Sequence, residues 1–177
     1  ELIENSNVAC LCTTDDAADT LEYHKLLAED DSFKCKVLPA FRPDKALGIE
    51  LAGYCDWVKA LESVSGKKIE SYGELTAVLL ERIELFAERG CRASDHAFTK
   101  VPYMRADEAE LDSIYKKAIS GEALSADEIE KYKTELMRFF AKEYARRGWG
   151  MEIHIGAMRN NNTPKFKALG PDTGFDS

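Results

Sequence analysis

The sequence lacks paired cysteines, a surplus of basic residues and any long hydrophobic run. Its five cysteines form no C-x-x-C pair, which argues against a disulfide framework and a structural zinc site. The chain has 24 basic and 32 acidic residues, and its net charge of -8 creates no general attraction for nucleic acid or an anionic membrane. No apolar run approaches the roughly 18 residues of a membrane helix. We therefore expect a cytoplasmic protein that binds neither nucleic acid nor membranes.

Several short functional motifs are also missing. The chain contains no G-x-G-x-x-G, no P-loop and no H-E-x-x-H, so nucleotide-binding and metalloprotease functions lack their signatures. The length of 177 residues and the 45% hydrophobic content suffice for one ordinary core. A small anionic substrate stays compatible with the acidic composition, since a few arginines can dominate the charge of one pocket.

The hydrophobic pattern predicts four short strands separated by helices. We expect the strands at 8–13, 33–38, 91–95 and 149–155, with Pro39 ending the second. One helix is expected at 17–28, capped by Asp15 or Asp16, and 49–89 and 103–147 are expected to be mainly helical connections. The order β-α-β-αα-β-αα-β favours parallel strands and an α/β fold. An open doubly wound sheet and part of a (β/α) barrel both satisfy this order.

Two histidines follow a repeated spacing. His96 and His154 each lie six residues after a glycine, Gly90 and Gly148, that ends a predicted helix. Six residues is about one strand, so we expect both imidazoles at the C-terminal ends of strands, where parallel α/β folds build active sites. The alternative is that each histidine is merely hydrogen-bonded near a strand end. The shared spacing makes His154 the strongest single candidate for catalysis.

Arg42 is the second candidate, as a binding group. Its neighbour Pro43 restricts the backbone, and a rigid guanidinium suits bidentate binding of a carboxylate. The alternative is that Arg42 simply forms an ion pair with Asp44.

Five segments of the chain closely resemble uronate isomerase, also called glucuronate isomerase, of the amidohydrolase superfamily. They follow in the same order along the chain, at 13–16, 36–46, 90–97, 154–162 and 169–177. Five motifs in one order are far more specific than any one of them, and the resemblance runs nearly end to end.

The resemblance implies a distorted (β/α)8 barrel with a helical insertion, of which residues 1–177 would form an internal portion with about four parallel strands. It implies interconversion of D-glucuronate with D-fructuronate and of D-galacturonate with D-tagaturonate. It further implies that His154 is a catalytic residue on or near a divalent metal, zinc in particular, and that Arg42 contacts the uronate substrate. Asp95 and His96 are implied as supporting residues behind them.

The chain departs from the family in lacking the H-x-H metal pair of the first barrel strand and the catalytic aspartate and partner arginine near the last. It also begins at Glu1 without a methionine. We therefore expect a fragment that binds no metal and is inactive alone. Two alternatives stay open: a metal-dependent hydrolase of the same superfamily, and a non-catalytic interaction module. A homo-oligomer is also left open.

Overall fold

Four parallel strands form one sheet in this computed structural model, which describes residues 2–171 and 173–174. The strands are β1 (Cys10–Asp15), β2 (Lys36–Phe41), β3 (Ala93–Phe98) and β4 (Gly150–Ile155), and they lie side by side in chain order. Each neighbouring pair is parallel. The predicted α/β class, with about four parallel strands, is confirmed. Residues 172 and 175–177 of the last family-like segment lie outside the described residues.

The helices lie between and after these strands. They are α1 (Leu2–Asn5), α2 (Glu22–Ala28), α3 (Asp44–Leu47), α4 (Tyr54–Ser65), α5 (Tyr72–Glu88), α6 (Glu108–Ile119), α7 (Ala126–Arg147) and α8 (Thr163–Leu169). Among the described residues, no helix combines the length and the apolar character that crossing a membrane requires.

β2 runs two residues beyond Pro39, so the prediction that this proline ends the strand is wrong. The amides of Lys36 and Arg42 donate to carbonyls of the β1 side, at 3.1 and 2.9 Å. Amides alternate in direction along a strand, so Pro39 points its missing donor away from β1. On that other side β2 pairs with β3 only between Phe41 and Ser94, and the proline therefore removes no ladder bond.

The helix after β1 begins later than predicted, at Glu22 instead of residue 17. The preceding segment is used for tertiary contacts: Arg82 donates to the carbonyl of Ala17 at 2.8 Å, and the Asp16 carboxylate accepts from the indole of Trp57 at 2.9 Å. The expected aspartate cap is therefore wrong. Leu21, in the left-handed region at φ 56°, occupies the N-cap position.

The core lies between one face of the sheet and helices α4 to α7. Phe41 of β2 is fully buried there, with its ring 4.9 Å from Phe86, 5.9 Å from Phe140 and 6.2 Å from Tyr144. These edge-on contacts bury the large apolar area that stabilises small domains. Since side chains alternate along a strand, the neighbouring positions point to the opposite face, where the polar site lies.

Candidate functional site

The two histidines of the repeated spacing lie on opposite faces of the sheet. In the β3–β4 register His154 pairs with Ala97, and His96 pairs with Ile153. This offset of one residue sends the two side chains to opposite faces. His96 is fully buried against the helices, whereas 40% of the His154 side chain is exposed. Both histidines lie near the C-terminal ends of their strands, as predicted, but only His154 is on the exposed face of the sheet.

Asp95 joins His154 to Arg42. One carboxylate oxygen of Asp95 lies 2.9 Å from Nε2 of His154, and the other lies 3.3 Å from Nη1 of Arg42. Asp95 pairs with Glu152, two positions before His154, so the same sheet face carries both side chains. β4, β3 and the residue after β2 thus place an imidazole and a guanidinium on either side of one carboxylate.

Arg42 also forms the ion pair that the sequence suggested as the alternative to a binding role. Its Nε donates to Oδ2 of Asp44 at 3.0 Å. The guanidinium therefore lies between the carboxylates of Asp44 and Asp95, with 35% of the Arg42 side chain exposed. The ion pair with Asp44 and a binding role for Arg42 are compatible in this geometry.

A cleft of about 190 Å³ opens beside this cluster. It is lined by Arg42, Ala97, Phe98, Thr99, His154, Ala157 and Arg159. A larger cavity of about 550 Å³ lies elsewhere, beside Asp16, Lys45 and Trp57. We assign the candidate site to the smaller cleft because it joins two arginines to the imidazole. Arg159 was missed as a site residue, although it lies inside a family-like segment.

His96 lies behind the sheet, on the face opposite the cleft. Its ring packs 5.7 Å from Tyr144 and 6.0 Å from Phe140, and its Nδ1 lies 4.0 Å from Oδ1 of Asp44. Neither ring nitrogen has a hydrogen-bond partner within the described part of the chain. Burial lowers the pKa of His96 to about 4, because the charged imidazolium is poorly solvated there. The residue is therefore neutral at pH 7.

The buried His96 should make the fold sensitive to mild acid. Its pKa is about 4 in the folded chain, against an ordinary value of 6.5 for a solvated histidine, so stability is full above pH 6.5 and is lost as the pH falls toward 4. Between pH 7.5 and 5 we expect a loss of about 2 kcal/mol from this group alone. Urea unfolding of the chain at both pH values measures it.

The matched control is His96→Leu, which replaces the titrating ring with an apolar side chain of similar size. The difference in unfolding free energy between the two pH values should be smaller in His96→Leu by about 2 kcal/mol. An equal acid sensitivity in both proteins would contradict a buried, neutral His96.

His24 belongs to a separate and structural cluster. The Thr13 hydroxyl lies 2.6 Å from the Asp15 carboxylate and 2.7 Å from Nε2 of His24. A carboxylate can only accept, so the single hydroxyl proton goes to Asp15 and His24 donates to the oxygen. A nucleophile would require the opposite direction, with the hydroxyl donating to the histidine. The cluster therefore fastens α2 to β1.

The donor chemistry at His154 fits one ligand of a metal ion. A metal-binding histidine commonly donates its second ring N–H to a carboxylate, as the Nε2 contact with Asp95 allows. Catalytic zinc, however, takes three protein ligands. The described residues contain no group of three or more His, Cys, Asp or Glu side chains placed to hold an ion. Within the described residues, His154 is therefore a candidate for a single ligand and not part of a complete catalytic zinc site.

Comparisons with known proteins agree on one family. A family model described as Glucuronate isomerase matches residues 1–177. The chain is 54% identical over 177 residues to a uronate isomerase of Clostridium acetobutylicum, and 50% identical over 176 residues to one of Halalkalibacterium halodurans.

A solved structure gives the same result for the fold. The chain resembles the uronate isomerase of Thermotoga maritima with a TM-score of 0.91 at 36% identity, covering 99% of this chain and 39% of that one. The chain likewise spans 38% of the Clostridium relative and 37% of the Halalkalibacterium relative. The likeness therefore extends along this whole chain and over a minor part of each relative.

Proposed function

Since the chain belongs to the glucuronate isomerase family, we propose that it provides part of the active site of a uronate isomerase. The full-length protein would interconvert D-glucuronate with D-fructuronate and D-galacturonate with D-tagaturonate. The observation that carries the proposal is the contact of Asp95 with both His154 and Arg42 beside one cleft. Residues 1–177 would be an internal portion of a (β/α)8 barrel, with 49–89 and 103–147 as its helical connections.

The reaction requires groups of the kind found in this cluster. An aldose becomes a ketose when a proton leaves carbon 2, carbon 1 gains one, and an enediol forms between the two steps. Such chemistry needs an acid–base group at the reacting carbons and stabilisation of the negative charge on oxygen. It also needs a group that holds the distant carboxylate, so that the carbons meet the acid–base group in one orientation.

His154 is assigned to the reacting end of the substrate. Asp95 accepts from Nε2 of His154, which fixes the ring and leaves Nδ1 as the nitrogen that accepts and returns a substrate proton or holds an ion. Because Asp95 is only 17% exposed, its contact with the ring is shielded from bulk water. Asp95 is therefore a positioning residue, and His96 supports the same region from the opposite face.

Arg42 is assigned to the carboxylate of the substrate. Its guanidinium lines the cleft together with Arg159, and two arginines offset the charge of Asp44 and Asp95. A carboxylate entering this cleft meets planar donors that can bind it with two parallel hydrogen bonds. Arg42 and His154 line the same cleft from either side of β3, so one small sugar acid would contact both.

A divalent metal, with zinc as our first choice, is part of the proposal for the full-length protein. When bound, it would polarise the carbonyl group of the sugar, and His154 is the residue of this chain that would hold it. The remaining ligands would come from outside residues 1–177, so this chain alone would bind the ion poorly and be inactive. We place the enzyme in the cytoplasm.

The test is turnover of the two uronates by the full-length protein that contains this chain. The protein is incubated with D-glucuronate or D-galacturonate and a divalent metal, and the ketose product is followed by NMR. We expect the ketose to appear with an equivalent loss of the uronate. Hydrolysis of an amide, lactone or sugar ester without ketose formation would instead support the hydrolase of the same superfamily, and no turnover of any of these would leave the non-catalytic module.

A further inference from the structure

The carboxylate of Asp44 links Arg42 to the neighbouring strand. Oδ2 accepts from Nε of Arg42 at 3.0 Å, while Oδ1 lies 3.4 Å from the amide of Ala97 in β3. We propose that Asp44 is a positioning residue that holds Arg42 in the orientation that binds the substrate carboxylate. The proposal rests on the proposed role of Arg42 and adds a residue to it.

The turn after β2 places the carboxylate of Asp44 beside the guanidinium of Arg42. Pro43, at φ -87°, separates the two residues, and α3 begins at Asp44. The helical turn directs the carboxylate toward the side chain two positions earlier instead of toward solvent, and 29% of the Asp44 side chain is exposed. Arg42 and its partner are therefore set by one short rigid segment.

Asp44 also replaces missing strand pairing. β2 and β3 pair only between Phe41 and Ser94, so no further ladder bond fixes the position of Arg42 relative to β3. The contact of Oδ1 with the Ala97 amide supplies that link, and the buried ring of His96 lies behind it with Nδ1 at 4.0 Å. Asp44 thus ties the guanidinium to the strand that carries Asp95.

Two carboxylates together define the plane of the guanidinium. Asp44 contacts Nε and Asp95 contacts Nη1, so two separate nitrogens of Arg42 are held by groups on two elements. A planar donor binds a carboxylate with two hydrogen bonds only in a narrow range of orientations. Fixing the plane before the substrate arrives removes rotamers that binding would otherwise have to restrict.

The cost of keeping Asp44 charged supports a role beyond packing. Burial raises the pKa of Asp44, and the hydrogen bond and charge of Arg42 oppose that rise. The carboxylate and the guanidinium therefore stabilise each other. Asp44 also brings a second negative charge near the substrate carboxylate, and this repulsion acts against binding. When the charge of Asp44 is removed, loss of the positioning effect would weaken substrate binding, whereas loss of the repulsion would strengthen it.

The test measures D-glucuronate affinity by calorimetry on the metal-free full-length protein, so that binding is read without turnover. Asp44→Asn keeps the size and removes the charge, and we expect about tenfold weaker binding. Asp44→Glu restores the charge and should recover part of the affinity. Asp56→Asn is the matched control, since Asp56 is 81% exposed and pairs with Lys59 on the surface; its affinity should equal that of the unmodified protein.

A double-mutant cycle decides whether Asp44 acts through Arg42. In an Arg42→Met background, Asp44→Asn should weaken binding no further, because the group that it positions is gone. The positioning role would be overturned if Asp44→Asn left the affinity unchanged or raised it, or if its loss of affinity added to that of Arg42→Met. If Asp44→Asn does not fold, Asp44→Ala takes its place, and normal affinity in that variant would overturn the role as well. Normal uronate binding without ketose formation would remove the isomerase proposal and leave the Asp44 result valid. No glucuronate binding by the unmodified protein, with or without a divalent metal, would overturn both.

Discussion

His154→Asn in the full-length protein is expected to lower kcat for D-glucuronate by about a thousandfold. The amide keeps a polar side chain of similar reach but cannot take up a proton at neutral pH. It also replaces the ring that Asp95 holds at 2.9 Å. Because His154 is 40% exposed on a sheet face without core packing, the melting temperature should change little. Ketose formation and circular dichroism measure the two quantities.

The control for His154 is Met158→Leu, which alters an exposed side chain on the loop after the same strand. This variant should keep normal kcat and KM. A His154→Asn protein that retains a rate within threefold of the unmodified enzyme would remove His154 from the catalytic assignment. A large loss of helix signal in His154→Asn would show instead that the side chain serves the fold.

Arg42→Met is expected to raise KM for D-glucuronate about 100-fold, with a smaller fall in kcat. Methionine fills similar volume, but the substrate carboxylate loses its charged donors, at a cost of about 3 kcal/mol. Asp44 and Asp95 would then face each other without the cation between them, which adds repulsion to the loss. Steady-state kinetics with D-glucuronate measures both constants.

Arg42→Lys separates charge from geometry. Lysine keeps the positive charge and loses the planar fork, so KM should fall between the values of the unmodified protein and Arg42→Met. Unchanged kinetic constants in Arg42→Met would refute the binding role. An equal KM in the lysine and methionine variants would show that geometry, not charge alone, determines binding.

The order of elements could be predicted because hydrophobic spacing reports which residues are buried together. Helical spacing placed α4, α5, α6 and α7 in the correct connections, and the four strands were found in order. The predicted strand boundaries were less accurate, because a strand begins and ends where its hydrogen bonds with neighbouring strands and its tertiary contacts begin and end. Pro39 stays inside β2 only because its side of the strand carries no ladder bond, and residue 17 stays outside a helix because Arg82 takes its carbonyl.

At the site, too, local sequence patterns identified residues but not the contacts between them. Spacing found both histidines but could not give the strand register, and one position of offset sends His96 into the core. The segment of Arg42 and Pro43 indicated a binding group and the resemblance supplied Asp95, yet the contact of Arg42 with Asp95 joins segments about 50 residues apart in the chain. The second contact of Asp44, with the Ala97 amide, left no signal in the sequence because it replaces missing ladder pairing.

The most direct test is a crystal structure of the full-length protein with D-glucuronate bound. The account predicts the sugar in the cleft between His154 and Arg42, with its carboxylate within hydrogen-bond distance of the guanidinium and carbons 1 and 2 beside the imidazole. Asp95 should keep its contact with Nε2 of His154. A uronate bound in the cavity beside Trp57, or one whose carboxylate lies away from Arg42, would contradict the account.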